Sequence, residues 1–137
     1  LAHKKLKNNR LFIGGKSMGG RIASQVAAEA VEGLSGLVFL GYPLHPPGNP
    51  EKLRDQHLKD IKVPMLFIQG ARDAFGTQEE IADVIKRLQL KATLHAVAGG
   101  DHSLKAPKSA GMSQDEIYSV VMDRVSNWMS EGLASKV

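Results

Sequence analysis

Cysteine is absent from the 137-residue sequence. Disulfides, thiolate metal sites and a cysteine nucleophile are therefore excluded, and a cytoplasmic setting is expected. Aromatic residues make up only 5% of the chain and do not interleave with lysines. That removes the stacked platform on which single-stranded nucleic acids are bound, so no nucleic-acid partner is expected. No apolar run approaches the roughly 18 residues of a membrane span, and no membrane association is expected. No charged-then-apolar leader opens the sequence as given. No histidine pair has His-Glu-x-x-His spacing and no dinucleotide fingerprint follows a strand, so neither metal nor cofactor is expected.

What is present suits one compact unit. The length allows a single domain with a real core, and 42% hydrophobic with 23% charged residues is ordinary for such a domain. The net charge of +4 is modest and concentrates early, at Lys4, Lys5, Lys7 and Arg10. A solvated helix end accounts for that cluster, since cations favour a helix C-terminus.

Short apolar runs alternate with helical patterns, the signature of a parallel α/β sheet. Strands are predicted over residues 10–14, 36–40, 65–70 and 91–97, the first three buried on both faces. Three apolar stripes at helical spacing lie between and after them: Ile22, Ala23, Val26, Ala27, Ala30 and Val31; Ile81, Val84, Ile85 and Leu88; Ile117, Val120, Val121, Val125, Trp128 and Met129. The first helix is predicted over 21–31. Trp128 reads as a core anchor. Thr77 with Glu80, and Ser113 with Glu116, read as capping boxes. Gly33 and Gly132 read as helix stops. The proline-rich stretch 41–63 reads as a long excursion with a short polar helix at 51–58.

The chemistry centres on Gly15-Lys16-Ser17-Met18-Gly19. This Gly-x-Ser-x-Gly pattern follows a predicted strand and precedes a helix, as a nucleophile elbow requires. A sharp turn there holds the serine in a strained conformation with its hydroxyl raised. The flanking glycines are expected to permit close packing, and the Met18 N–H to serve a developing oxyanion. A phosphate loop is excluded, because the glycine it needs five positions before Gly15 is Arg10.

A serine nucleophile needs a base, and the base an orienting acid. Both follow in the order serine, acid, histidine, each just past a strand. Asp73 lies in Gln69-Gly70-Ala71-Arg72-Asp73, and His102 in Gly99-Gly100-Asp101-His102-Ser103. Asp101 is the alternative acid, but adjacent residues rarely orient a ring for catalysis, so Asp73 is preferred. His3, His57 and His95 read as surface or strand histidines. His45, in Gly41-Tyr42-Pro43-Leu44-His45-Pro46, reads as part of a rigid turn near the site, with substrate contact by His45 and Tyr42 as the other reading.

These residues resemble the α/β-hydrolase superfamily, with Ser17, Asp73 and His102 on its nucleophile, acid and base positions. The phrases Gly14-Gly15-Lys16-Ser17-Met18-Gly19-Gly20-Arg21, Gly41-Tyr42-Pro43-Leu44-His45-Pro46 and Gln69-Gly70-Ala71-Arg72-Asp73 are similar to its lidless, dienelactone-hydrolase-like branch of small hydrolases. The resemblance implies the C-terminal half of that fold, about four parallel strands and three main helices in one partial domain. It implies a protein of about 200 residues or more, whose preceding strands supply the second oxyanion donor. The strand at 10–14 is then an unpaired edge, open to pairing or dimerisation. The implied function is a serine hydrolase acting on a small-molecule ester, lactone or thioester. Because the branch also resembles a scaffold subunit of a nuclear acetyltransferase complex, a catalytically inactive interaction module is the alternative.

Overall fold

The computed structural model describes residues 10–134, with side chains through Glu131. His3, Lys4, Lys5 and Lys7 lie outside the described residues. Four strands, β1 (Leu11–Lys16), β2 (Leu34–Leu40), β3 (Met65–Gly70) and β4 (Ala92–Val97), form one sheet in chain order. All three pairings are parallel. Helix α1 (Met18–Ala27) joins β1 to β2, and α2 (Gln78–Arg87) joins β3 to β4. Helix α3 (Gln114–Ala134) follows β4. A 3₁₀ turn, Gln56–Asp60, interrupts the long β2–β3 connection.

Alternation along the strands divides the core in two. Leu37, Phe39, Met65 and Phe67 face one side, where they pack with Ala27 of α1, Leu58 of the 3₁₀ turn, and Ile81 and Val84 of α2. Val38, Leu40, Leu66 and Ile68 face the other, against Ile117, Val121 and Trp128 of α3. Each residue step turns the side chain to the opposite face, so a continuous apolar run serves both layers. Trp128 is the expected anchor: its ring meets Phe12 edge-on, with centroids 5.8 Å apart.

The predicted strands at 65–70 and 91–97 match β3 and β4 within a residue. Strand β1 differs, running on to Lys16 and delivering the chain straight into Ser17. It is half-buried and stands at the edge of the sheet among the described residues. Helix α1 begins three residues earlier than predicted and stops at Ala27 rather than Val31. Ala30 takes a left-handed conformation with φ 62°, which a helix cannot continue through. Gly33 therefore serves the entry to β2, not the helix end. The predicted stripe on α1 divides as well. Gly20, Ser24 and Ala27 are buried, whereas Ile22, Val26 and Val31 stand in solvent with Met18. Gly132 stops nothing, since α3 runs through it to Ala134. The short helix expected at 51–58 is the 3₁₀ turn instead. No helix among the described residues is long and apolar enough to cross a membrane.

Candidate active site

The turn from β1 to α1 takes a single residue. The Ser17 N–H still donates to the Leu40 carbonyl oxygen at 2.9 Å, as a strand residue would. Its own carbonyl already accepts from the Arg21 N–H at 3.2 Å, as a helix cap would. Meeting both demands puts Ser17 at φ 53° and ψ −121°, a region that side-chain-bearing residues rarely enter. A Cβ on Gly15 would lie 2.4 Å from the Gly19 carbonyl carbon, and one on Gly20 would lie 2.8 Å from the Gly15 oxygen. A Cβ on Gly19 would meet nothing. Close packing thus requires Gly15 and Gly20, not both flanking glycines of the motif. Met18 opens the helix, so its N–H has no carbonyl one turn back to donate to.

Asp73 lies three residues beyond β3 and is fully buried. His102 lies in the loop after β4. Its Nδ1 is 2.7 Å from Asp73 Oδ2, and its Nε2 is 2.7 Å from Ser17 Oγ. A carboxylate only accepts, so Nδ1–H donates to Asp73 and leaves Nε2 to accept from the Ser17 hydroxyl. The three side chains anticipated from sequence thus form one hydrogen-bonded series across three loops. Asp101 plays another part. Its exposed carboxylate accepts from the Ser103 and Lys105 N–H groups at 2.8 and 2.9 Å and shapes the loop that carries His102.

Two neighbours escaped the sequence reading. Gln69, the last side chain of β3, is fully buried. Its amide nitrogen lies 3.1 Å from Asp73 Oδ2, 3.1 Å from the Tyr42 oxygen and 2.8 Å from the Gly76 oxygen, three acceptors that share its two N–H groups. Its oxygen accepts from the Tyr42 N–H at 2.9 Å. A lone polar residue in Met65-Leu66-Phe67-Ile68-Gln69 was the available signal. Phe75 stacks on the His102 ring with centroids 4.3 Å apart, and its N–H donates to Asp73 Oδ1 at 2.7 Å.

Tyr42 and His45 are placed differently from substrate contacts. Tyr42 is fully buried, with its hydroxyl donating to the Arg54 oxygen at 2.7 Å. Burial pushes its pKa up to about 12. His45 is only 3% exposed, and both ring nitrogens are engaged within the protein. Neither offers free surface to a ligand. His57, expected at the surface, is half-buried against Ser24 at 2.7 Å. His95 sits on β4 in an apolar groove of about 220 Å³ lined also by Met112, Ile117 and Val120, and this groove does not border Ser17. Among the described residues no group of three or more Asp, Glu or His is placed to hold a metal ion.

A family model described as an alpha/beta hydrolase domain matches residues 1–130. Among solved structures, the chain is similar to the esterase domain of a Rhodothermus marinus protein, at 14% identity and a TM-score of 0.63 over 93% of this chain and 65% of that one. It is similar to a candidate alpha/beta hydrolase from Agrobacterium tumefaciens, at 14% identity and 0.71 over 98% and 56%. It is similar to a dienelactone hydrolase from Anabaena variabilis, at 24% identity and 0.60 over 88% and 48%. The chain therefore spans between about half and two thirds of the length of these proteins.

Proposed function

We propose that this chain, which belongs to the alpha/beta hydrolase domain family, carries the nucleophile, base and acid of a serine hydrolase. The reaction is cleavage of a small carboxylic ester, lactone or thioester through an acyl-enzyme. The single observation behind this reading is the series Ser17 Oγ, His102 Nε2, His102 Nδ1 and Asp73 Oδ2, with both contacts at 2.7 Å. In that role His102 takes the Ser17 proton as Oγ attacks the acyl carbon. Asp73 holds the imidazole in the required tautomer and stabilises the imidazolium that forms. The Met18 N–H is the oxyanion donor within this chain. His102 then returns the proton to the leaving oxygen or sulfur. A water, activated by the same ring, attacks the acyl-enzyme and releases the acid and Ser17. The cysteine-free composition suits a cytoplasmic enzyme.

Among the described residues β1 is an edge of the sheet, and with the exposed Met18, Ile22 and Val26 it favours a second reading, a non-catalytic module that binds further polypeptide along this face. A fluorophosphonate probe followed by peptide mapping separates the two. The hydrolase reading expects labelling of the full-length protein at Ser17 and turnover of short p-nitrophenyl esters that Ser17→Ala abolishes. An unlabelled Ser17, or turnover that survives Ser17→Ala, would overturn it.

A further inference from the structure

We infer that His45 and Glu80 form a hydrogen-bonded clasp that positions Phe75, and through it the His102 imidazole, for catalysis. The inference rests on the serine-hydrolase reading above. His45 is 3% exposed, in the loop between β2 and the 3₁₀ turn. Burying an imidazole is costly unless both nitrogens are satisfied.

Both are satisfied, and by acceptors. Nδ1 lies 2.8 Å from the Pro46 carbonyl oxygen and Nε2 lies 2.7 Å from Glu80 Oε2. A neutral imidazole has one N–H, so two accepting partners require both nitrogens to be protonated. His45 is an imidazolium paired with a carboxylate. Burial pushes the Glu80 carboxyl up, but hydrogen bonds from Thr77 and His45 and the His45 charge outweigh it and hold the group below its usual value.

Helix capping alone does not account for this pair. The capping box uses Glu80 Oε1, which accepts from the Thr77 N–H at 3.0 Å. The second oxygen is free to reach a different loop, and it reaches His45. The backbone of His45 completes the link, its N–H donating to the Phe75 carbonyl oxygen at 3.0 Å. Phe75 is thus fixed at both ends of its main chain, by Asp73 Oδ1 at its nitrogen and by His45 at its oxygen. Its ring lies against one face of the His102 imidazole, with centroids 4.3 Å apart and planes tilted by 33°. A base held by two hydrogen bonds can still tilt about the line joining them, and a stacked ring on one face opposes that tilt.

The test uses Glu80→Ala and Glu80→Gln in the full-length protein. A glutamine can accept from the Thr77 N–H through its oxygen and donate through its amide to a neutral His45, so it preserves the clasp without the charge. Glu80→Ala is expected to lower kcat about tenfold to a hundredfold with KM changed less than about twofold. Glu80→Gln is expected to restore kcat to within about threefold. Ring ¹⁵N spectra should show His45 doubly protonated in the parent and neutral in Glu80→Gln, with the His102 ring signals displaced only in Glu80→Ala. A folded Glu80→Ala with parental kcat, or a loss confined to KM, would overturn the clasp. Should Glu80→Ala fail to fold, the spectra of the parent and of Glu80→Gln decide, and a His45 ring with one bare nitrogen in the parent counts against it. Survival of turnover in Ser17→Ala would instead sink the hydrolase reading, and the ring spectra would still report on the clasp.

Discussion

The amide nitrogen of Gln69 donates to the buried Oδ2 of Asp73, the same oxygen that accepts from His102 Nδ1. Gln69 therefore satisfies the acid while tying it to the Tyr42 loop and to Gly76 farther along the acid's own loop. Gln69→Leu would leave the Tyr42 N–H and the Gly76 oxygen without a partner inside the core, whereas the Tyr42 oxygen keeps the Leu44 N–H. Each buried orphan costs about 1–3 kcal/mol, so a loss of about 2 kcal/mol or more is expected in urea unfolding. Turnover of the folded fraction should fall as well, because the Asp73 loop loses its anchor.

Asp73→Asn should cost far more in rate than in stability. Both Asp73 oxygens accept: Oδ2 from His102 and Gln69, Oδ1 from the Phe75 N–H. An asparagine must turn its NH2 toward one of those donors. Facing His102, it drives the ring into the tautomer that places the proton on Nε2, where the Ser17 hydroxyl needs a bare nitrogen. A fall in kcat of about 10⁴ is expected, with the rate of probe labelling at Ser17 falling in parallel. Labelling at the parental rate would show that Asp73 does not orient His102.

The fold was legible where the signal was local. Strand β3 was readable because a run buried on both faces is apolar throughout, and the capping boxes at Thr77 and Ser113 because cap and glutamate lie within one turn. Ser17, Asp73 and His102 were readable because each follows a strand and their chain order is restricted. Non-local facts were not. Periodicity identifies an apolar stripe on α1 but not what covers it, so Ile22 and Val26 belong to the predicted stripe yet stand exposed. Gln69 meets Tyr42 across 27 positions of the chain, and His45 meets a carboxylate 35 residues away. Nothing in the neighbourhood of either residue announces those contacts.

Backbone strain at Ser17 gives a stability prediction independent of chemistry. With φ 53° and ψ −121°, any residue bearing a Cβ is held in a costly region at this position. Ser17→Ala keeps the Cβ and the strain, whereas Ser17→Gly removes both. Ser17→Gly should therefore be more stable than Ser17→Ala by about 1–3 kcal/mol in urea, although both lack the hydroxyl. Equal midpoints would mean that the turn carries no strain.

Gly70→Ala tests how tightly the acid and base loops are pressed together. A Cβ there would sit 2.1 Å from the Asp101 carbonyl oxygen and 2.6 Å from that of Gly100. Both obstacles are backbone, so no rotamer change relieves them. The loop that carries His102 must move, and a destabilisation of about 1–3 kcal/mol is expected. The Ser17–His102 contact should lengthen, lowering kcat in a way that added substrate does not restore.

Neutral His57 and His95 each make mild acidification costly to the fold, and substitution of His57 isolates its share. Burial, then the nearby Arg21 charge, lowers the His57 pKa from 6.5, and burial with Arg124 does the same at His95. As pH falls through 6.5, the unfolded chain binds protons that the folded chain refuses. The stability associated with neutral histidine is therefore complete above that value and is lost progressively below it, until the lowered folded values are passed. Ser24 Oγ donates to the Arg21 carbonyl oxygen at 2.5 Å, so the contact at 2.7 Å has His57 Nε2–H donating to Ser24 and leaves Nδ1 to titrate. His57→Gln keeps an N–H for Ser24 and removes the titration. Between about pH 7 and pH 5.5 the urea midpoint of the parent should lose more, relative to its value at neutral pH, than that of His57→Gln. Parallel curves for the two proteins would show that protonating His57 costs the fold nothing.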